Sequence, residues 1–288
     1  MKNIKRIAAI ILAVMMVGSL AACGSSSSSS SGSNSGSSDV VYRTLDEIKE
    51  AGTIKIGVFS DKNPFGYVDE NGEYQGYDIY LGNRLAEDLG VELEYVSTEA
   101  ANRVEYLETG KVDIILANFT VTEERAEKVD FANPYMNVAL GVVSHDDNVI
   151  TDLDSWNADD TMIVISGTTA ETYLTANYPD MKLQKFDTYA NAKNAFENGG
   201  TAWANDNTEV IAFALQNSGY TVGIESLGST DTIAPAVSKG NETLLTWLNE
   251  EMEALGSENF FHADYEATLV DTYGTEYEDT LVVEGVAE

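Results

Sequence analysis

Arg125 carries the clearest chemical question in this chain. It stands in "ANFTVTEERAEKVDF", Ala117 to Phe131, among Glu123, Glu124, Glu127 and Asp130. The whole chain of 288 residues has 16 Lys+Arg against 48 Asp+Glu. Side chains three or four apart on a helix share a face, and those one or two apart do not. At those spacings Glu124 meets Lys128, an ordinary ion pair, whereas Arg125 meets Val121, Thr122, Lys128 and Val129 and has no acid beside it. With Thr122 as N-cap, Glu123 and Glu124 suit the positive end of the helix and Arg125 opposes it. A guanidinium set against its local field needs a distant partner, and its planar fork suits a carboxylate bonded through two parallel hydrogen bonds. A solvated arginine, or a salt bridge to a remote acid, is the plain alternative.

Little else could do chemistry. His145 and His262 are isolated, with no Ser/His/Asp arrangement and no metal spacing around them. Cys23 is the only cysteine, so neither an intramolecular disulfide nor a thiolate metal cluster nor a cysteine nucleophile is available. No catalytic residue, metal site or cofactor is expected.

The elements that must position Arg125 begin well inside the chain. Lys2, Lys5 and Arg6 precede an apolar run from Ile7 to Gly18, then "LAAC", Leu20 to Cys23. The run is too short to span a bilayer and has the flanks of a secretory signal. "GSSSSSSSGSNSGSS", Gly24 to Ser38, is a flexible linker with a reach of roughly 20 Å. The remainder suffices for one large domain or two of ordinary size. The formal net charge is −32, and losing the signal peptide removes only basic residues. Nucleic-acid binding, which needs a basic surface, is thereby disfavoured.

The body alternates short apolar runs with helical patterns. "TIKIGVF", "VELEYV" and "VDIILA" read as strands, separated by helices that Gly90 and Gly110 end. This β-α-β-α-β order implies parallel strands with helical crossovers. A second series follows in "VALGVVS", "TMIVIS", "KLQKF" and "TAWA", interleaved with helices such as "TAETYLTANY" and "DNTEVIAFALQNSG", and closed by "TVGI" and "TIAPAVSKG". From "NETLL" to "DTYG" the chain reads as helical, with Leu244, Leu245, Leu248, Met252 and Leu255 on one face. The order of the acidic tail "TEYEDTLVVEGVAE" is left open.

Read together, these segments resemble the bacterial extracellular solute-binding proteins of family 3, which deliver polar amino acids to ABC importers. The likeness covers residues 44 to 275. "GTIKIGVFSDKNPFGYVDENGEYQGYDIYLGNRLAEDLG" looks like the family's opening, and "GKVDIILANFTVTEERAEKVDFANPY" is similar to its most specific segment. "SGTTAE" and "AWANDN" match second-lobe motifs. "EAANRVEYL", "IAPAVSKG" and "FFHADYEATL" resemble the cysteine-binding branch, so cysteine or cystine is the favoured ligand. "LAAC" resembles a lipobox, which implies a diacylated Cys23 at the head of the mature protein.

The resemblance implies an α/β, two-lobed periplasmic-binding-protein fold of type II, each lobe a small, mainly parallel sheet flanked by helices, with a two-stranded hinge. Residues 1–22 would be the signal peptide, 23–38 the lipidated cysteine and linker, 39–137 and 233–275 lobe 1, 138–232 lobe 2, and 276–288 an acidic tail. The hinge crossings would fall near Tyr135 to Leu140 and Thr230 to Ala234. Family precedent puts Arg125 and Thr120 on the ligand carboxylate, with the N–H groups of "GTT", including Thr168 and Thr169, completing that cradle at a helix N-terminus. Asp206 would take the ammonium group, the Asn118 carbonyl would add an acceptor, and Asn205 and Asp61 would bear on side-chain selection. Phe65 would supply apolar cover; core packing is its alternative role, as an N-cap is for Asp206. Ala100, Asn102 and Arg103 lie where relatives shape selectivity. Three positions depart from the pattern: "SDKNPF" is short before Pro64, Tyr80 replaces a second acid, and Thr201 replaces an acid after the glycine. The implied partners are a free amino acid, an ABC permease and ATPase, and the membrane through the lipid, with the chain itself a monomer. A cyclohexadienyl or arogenate dehydratase-like enzyme and a ligand-reporting sensor are the competing readings; the first lacks an identifiable general acid.

Overall fold

The computed structural model describes residues 41–154 and 156–286. The signal peptide, Cys23 and the Gly/Ser linker lie outside the described residues. Helix α1 (Leu45–Ala51) opens with a capping box in which Thr44 and Glu47 exchange hydrogen bonds. Then come β1 (Thr53–Val58), β2 (Asp61–Lys62), β3 (Gly66–Val68), β4 (Tyr74–Gln75), α2 (Tyr77–Leu89), β5 (Glu92–Ser97), α3 (Arg103–Glu108), β6 (Ile114–Ile115), α4 (Glu123–Ala126) and β7 (Val129–Phe131). The middle of the chain supplies β8 (Met136–His145), β9 (Met162–Ile165), α5 (Thr169–Asn177), β10 (Leu183–Phe186), α6 (Tyr189–Glu197), β11 (Ala202–Asp206), α7 (Asn207–Gln216) and β12 (Tyr220–Ile233). It closes with β13 (Ala236–Ser238), α8 (Glu242–Ser257), α9 (Phe260–Thr268), α10 (Val270–Tyr273) and α11 (Glu278–Leu281).

Two five-stranded sheets result, β5-β1-β6-β13-β7 and β10-β9-β11-β8-β12, with β2-β3-β4 as a small meander. In each, three parallel strands are extended by antiparallel ones. β1 runs parallel to β5 and β6, and β9 to β10 and β11. β13 is antiparallel to β6 and β7, and β8 to β11 and β12. The sheets are therefore evenly mixed rather than mainly parallel. The β-α-β rhythm reveals the crossovers but not the strands that enter from the far end of the chain. β9, "MIVI", is buried at every position, as a strand covered on both faces must be.

The chain leaves the first sheet after Phe131 and returns to it at Ala236, so β8 and β12 form the neighbouring pair through which the sheets are linked. They pair from Met136 opposite Ile233 to His145 opposite Tyr220, with bulges between. "TVGI" and the residues up to Ile233 thus form one strand, because β8 supplies a partner along its length. The long helical reading after Asn241 breaks at Asn259, whose φ is 60°. The acidic tail is ordered as far as it is described. Val282 bridges to Met136, Asn137 Nδ2 donates to the Thr280 carbonyl at 3.0 Å, and His262 lies between Glu278 at 2.7 Å and Glu284 at 2.9 Å.

One apolar cluster joins β1 and α2 to α8 and α9. Another backs β8, β9 and α5. A third spans both sheets, where Phe59 meets Tyr189 edge-on at 5.1 Å between ring centres.

Candidate ligand-binding site

Arg125 sits where the helix signals predict. Thr122 has extended backbone and its hydroxyl accepts the Arg125 N–H at 3.2 Å, fixing the first turn of α4. The guanidinium forms no ion pair with the neighbouring acids, although Glu124 lines the same cavity. Its Nη1 donates to the Thr120 carbonyl at 2.7 Å and its Nη2 to the Gly167 carbonyl of the second sheet's side at 3.0 Å. It lies 4.8 Å from the Phe119 ring centre.

A second arginine joins it. Arg103, at the start of α3, is buried and donates to the carbonyls of Ala100, Ala117, Asn118 and, at 3.2 Å, Gly167. Its guanidinium carbon stands 4.5 Å from the Phe119 ring centre. Among the described residues neither arginine forms an ion pair. Burial, followed by the nearby Arg103 charge, pulls the Arg125 guanidinium down to about 9, and burial likewise lowers that of Arg103. Backbone carbonyls satisfy N–H groups but do not neutralise charge. Two desolvated cations side by side make this region a place for an anion.

Gly167 brings the two halves into contact. Its φ is +79°, and a Cβ there would lie 2.5 Å from Ala101 Cα. Thr168 caps α5, its hydroxyl accepting the Glu171 N–H at 3.3 Å and donating to the Ile165 carbonyl at 2.7 Å. Of the three N–H groups in "GTT", that of Gly167 is bonded to Glu171 Oε2 and that of Thr168 to the Ile165 carbonyl. Thr169 keeps its own free among the described residues, so the expected cradle narrows to one N–H. Thr169 and Arg125 both line a cavity of about 360 Å³, with Thr122, Thr172 and Asp231. Hollows of about 410 and 490 Å³ lie elsewhere, but neither is lined by an arginine of this pair or by Asp206.

Asp206 is not in that cavity. It stands at the N-cap position of α7 yet makes no side-chain cap bond. Its carboxylate meets an ammonium group, as expected of it, but the ammonium belongs to the protein. Lys62, wholly buried on β2, donates to Asp206 Oδ2 at 2.8 Å and to Asn118 Oδ1 at 2.5 Å. The rings of Tyr189, Phe65 and Phe59 lie 4.8, 5.2 and 5.7 Å from its Nζ. Burial opposes the charge of Lys62, but Asp206, Tyr189 and Glu209 outweigh it and hold the group above its ordinary value.

Asn118 joins the two clusters. Its φ of 44° is the left-handed conformation that asparagine tolerates better than most residues. Its N–H donates to Asp78 Oδ2 at 2.8 Å, its carbonyl accepts from Arg103 and its amide oxygen from Lys62. Asp78 also accepts the Tyr135 hydroxyl at 2.6 Å, and burial pushes its carboxyl up to about 7. Burial does the same to Glu209.

The remaining sequence candidates divide. Thr120 is buried and offers its carbonyl to Arg125, bridging to Ile233. Phe65 is fully buried in the core beside α2, so packing accounts for it, although its ring also faces Lys62. Asn205 is fully buried, and neither of its amide atoms has a hydrogen-bond partner among the described residues. Asp61 is half-buried, lies outside the Arg125 cavity and accepts the Ala190 N–H at 3.1 Å. Lys62, Phe59, Phe119 and Tyr189 were missed. The scarcity of cations that singles out Arg125 applies equally to Lys62 in "SDKNPF", where Asp61 beside it supplies an ordinary local partner.

The sequence pattern of the bacterial extracellular solute-binding proteins, family 3, matches residues 54–266. The chain belongs to this family. A solute receptor for L-cysteine from Neisseria gonorrhoeae is 49% identical with a TM-score of 0.82, the likeness covering 84% of this chain and 100% of that one. A cysteine-binding protein from Campylobacter jejuni is 46% identical with a TM-score of 0.81, covering 83% and 98%. An ABC transporter glutamine-binding protein from Bacillus subtilis is 28% identical over 92% of this chain and 96% of its own. These relatives are solute-binding proteins rather than enzymes. This solute-binding protein thus shares the type II periplasmic-binding fold and works outside the cytoplasm. Among the described residues, no helix is long and apolar enough to cross a membrane, and no group of three or more His, Cys, Asp or Glu side chains could hold a metal ion.

Proposed function

We propose that the protein captures L-cysteine, or its disulfide cystine, between two lobes and delivers it to an ABC permease and its ATPase. The observation that carries the reading is the pair of arginines, Arg103 buried and Arg125 half-buried, with no ion-paired carboxylate among the described residues. An amino acid brings that carboxylate. In this reading Arg125, Arg103, the Thr169 N–H and Thr120 hold it, while Asp206 takes the ammonium group through the oxygen that Lys62 leaves free. Asn118 and Asn205 supply further polar contacts; Phe65 and Asp61 border the site. The choice of cysteine is supported by the L-cysteine-binding proteins at 49% and 46% identity.

Lobe 1 comprises residues 39–137 and 233–275 and lobe 2 residues 138–232, hinged through β8 and β12. Bonds from both arginines to Gly167 and from Lys62 to Asp206 mark the closed arrangement, and a ligand that adds contacts only there shifts the population toward it. A diacylated Cys23 and the Gly/Ser linker hold the monomer at the outer face of the cell membrane. The test is a thermal-shift panel of the standard amino acids plus cystine, with reductant present for cysteine and absent for cystine. A specific ligand raises the melting temperature by mass action. Stabilisation by another amino acid, with no response to cysteine or cystine, would reject the ligand assignment. Silence across the whole panel would reject amino-acid capture.

A further inference from the structure

Lys62 does more than neutralise Asp206. An ammonium group has three N–H donors, and two of them are bonded, to Asp206 Oδ2 and to Asn118 Oδ1. Around the rest of the group lie the rings of Tyr189, Phe65 and Phe59, and the Tyr189 hydroxyl and Glu209 carboxylate act on its charge without a hydrogen bond to it among the described residues. The side chain is completely buried, so water does not reach it from the surface and the third donor has no protein acceptor among the described residues. A buried, unspent donor on a charged group is costly unless something fills it.

Its position fits a ligand better than a structural role alone. Lys62 reaches from β2 to Asp206 at the end of β11, so its ammonium group links elements of the first and second series across the rings that surround it. A ligand ammonium bonded to the second oxygen of Asp206 would stand roughly 4–5 Å from Lys62 Nζ, the separation of two donors that share one carboxylate. In the amino-acid reading, with the ligand carboxylate on Arg125 and Arg103 and its ammonium on Asp206, the side chain is the part of the ligand left to face Lys62. A γ heteroatom, such as the sulfur of cysteine, can accept there; a methyl group cannot.

We propose that Lys62 is a specificity-determining residue whose third N–H donates to the γ heteroatom of the bound amino acid. The proposal rests on the amino-acid reading above. It explains why a cation occupies the cleft opposite an acid already assigned to the ligand's ammonium: Lys62 spends two donors in fixing Asp206 and Asn118, and the third reads the side chain.

The test compares L-cysteine with L-2-aminobutyrate, which has a methyl group in place of the thiol, by calorimetric titration under reductant. Wild type is expected to prefer cysteine by roughly tenfold or more, the worth of one hydrogen bond to a charged donor. In Lys62→Met the preference falls to about threefold or less, whatever happens to the two absolute affinities. A Lys62 that merely positions Asp206 would weaken both ligands by one factor and leave the preference intact. Should Lys62→Met not fold, Lys62→Gln keeps a neutral donor and is expected to give an intermediate preference. A preference unchanged in whichever variant folds, or wild type that binds the two ligands equally, overturns the proposal. Wild type that binds neither ligand removes the cysteine reading itself, and the role of Lys62 with it.

Discussion

Gly167→Ala is the sharpest probe of closure, because its two effects separate. The first is local. A residue with a Cβ at φ +79° is strained by about 1–2 kcal/mol in both the open and the closed states. That cost falls on stability and is read as a lower midpoint in urea. The second effect exists only when the lobes meet. The added Cβ would stand 2.5 Å from Ala101 Cα and 2.6 Å from Ala101 N, against roughly 3.5–4.0 Å for carbon atoms in contact. These are backbone atoms that no rotamer change can move, so the lobes must part by roughly 1 Å. The bonds to the Gly167 carbonyl from Arg125 at 3.0 Å and Arg103 at 3.2 Å then stretch beyond useful length. Two such bonds to charged donors, at about 1.5 kcal/mol each, remove about 3 kcal/mol from the closed state. That corresponds to roughly a hundredfold loss of ligand affinity. Calorimetric titration with whichever amino acid stabilises the protein measures it, and small-angle scattering should show a more extended ligand-bound form. Affinity within about threefold of wild type, with only the stability loss, would refute closure through this contact.

Three further outcomes can be checked directly. Arg125→Ala should abolish measurable amino-acid binding, since truncating one partner of a buried charge pair costs about 2–5 kcal/mol; an ordinary titration isotherm would count against the carboxylate assignment. Asp78 holds its proton to about 7 in the folded protein because it is buried, whereas the unfolded chain releases it near 4. The folded state therefore binds more protons between these values, and the contribution of Asp78 to stability, complete at lower pH, is lost as pH rises through 7. Urea unfolding at pH 5.5 and pH 8 should show this contribution as a difference that shrinks by about 1 kcal/mol or more in Asp78→Asn; an unchanged difference would contradict it. Cys23→Ser should move the protein from the detergent phase to the aqueous phase in Triton X-114 partition. A variant that still enters the detergent phase would dismiss lipid anchoring.

Much of the scaffold is legible from local signals. Thr122 caps α4, Gly90 ends α2, and the βα rhythm of each sheet appears in order, because capping, left-handed glycines and apolar periodicity act over a few residues. Elements that depend on distant partners are not legible in this way. β12 is a single long strand only because β8 lies beside it. The acidic segment around α11 is packed only because Met136, Asn137 and His262 meet it.

The site divides along the same line. Sequence alone determined that Arg125 lacks a local partner, that the chain is strongly acidic, and that its motifs follow a solute-binding order. Tertiary structure alone decided that Arg103 stands beside Arg125, that both reach the Gly167 carbonyl, and that Asp206 already holds an ammonium group. The reason is physical. Whether a charge is paired depends on what desolvates it and what lies within a hydrogen bond of it, and for Lys62 the acid that does so is 144 residues away in sequence.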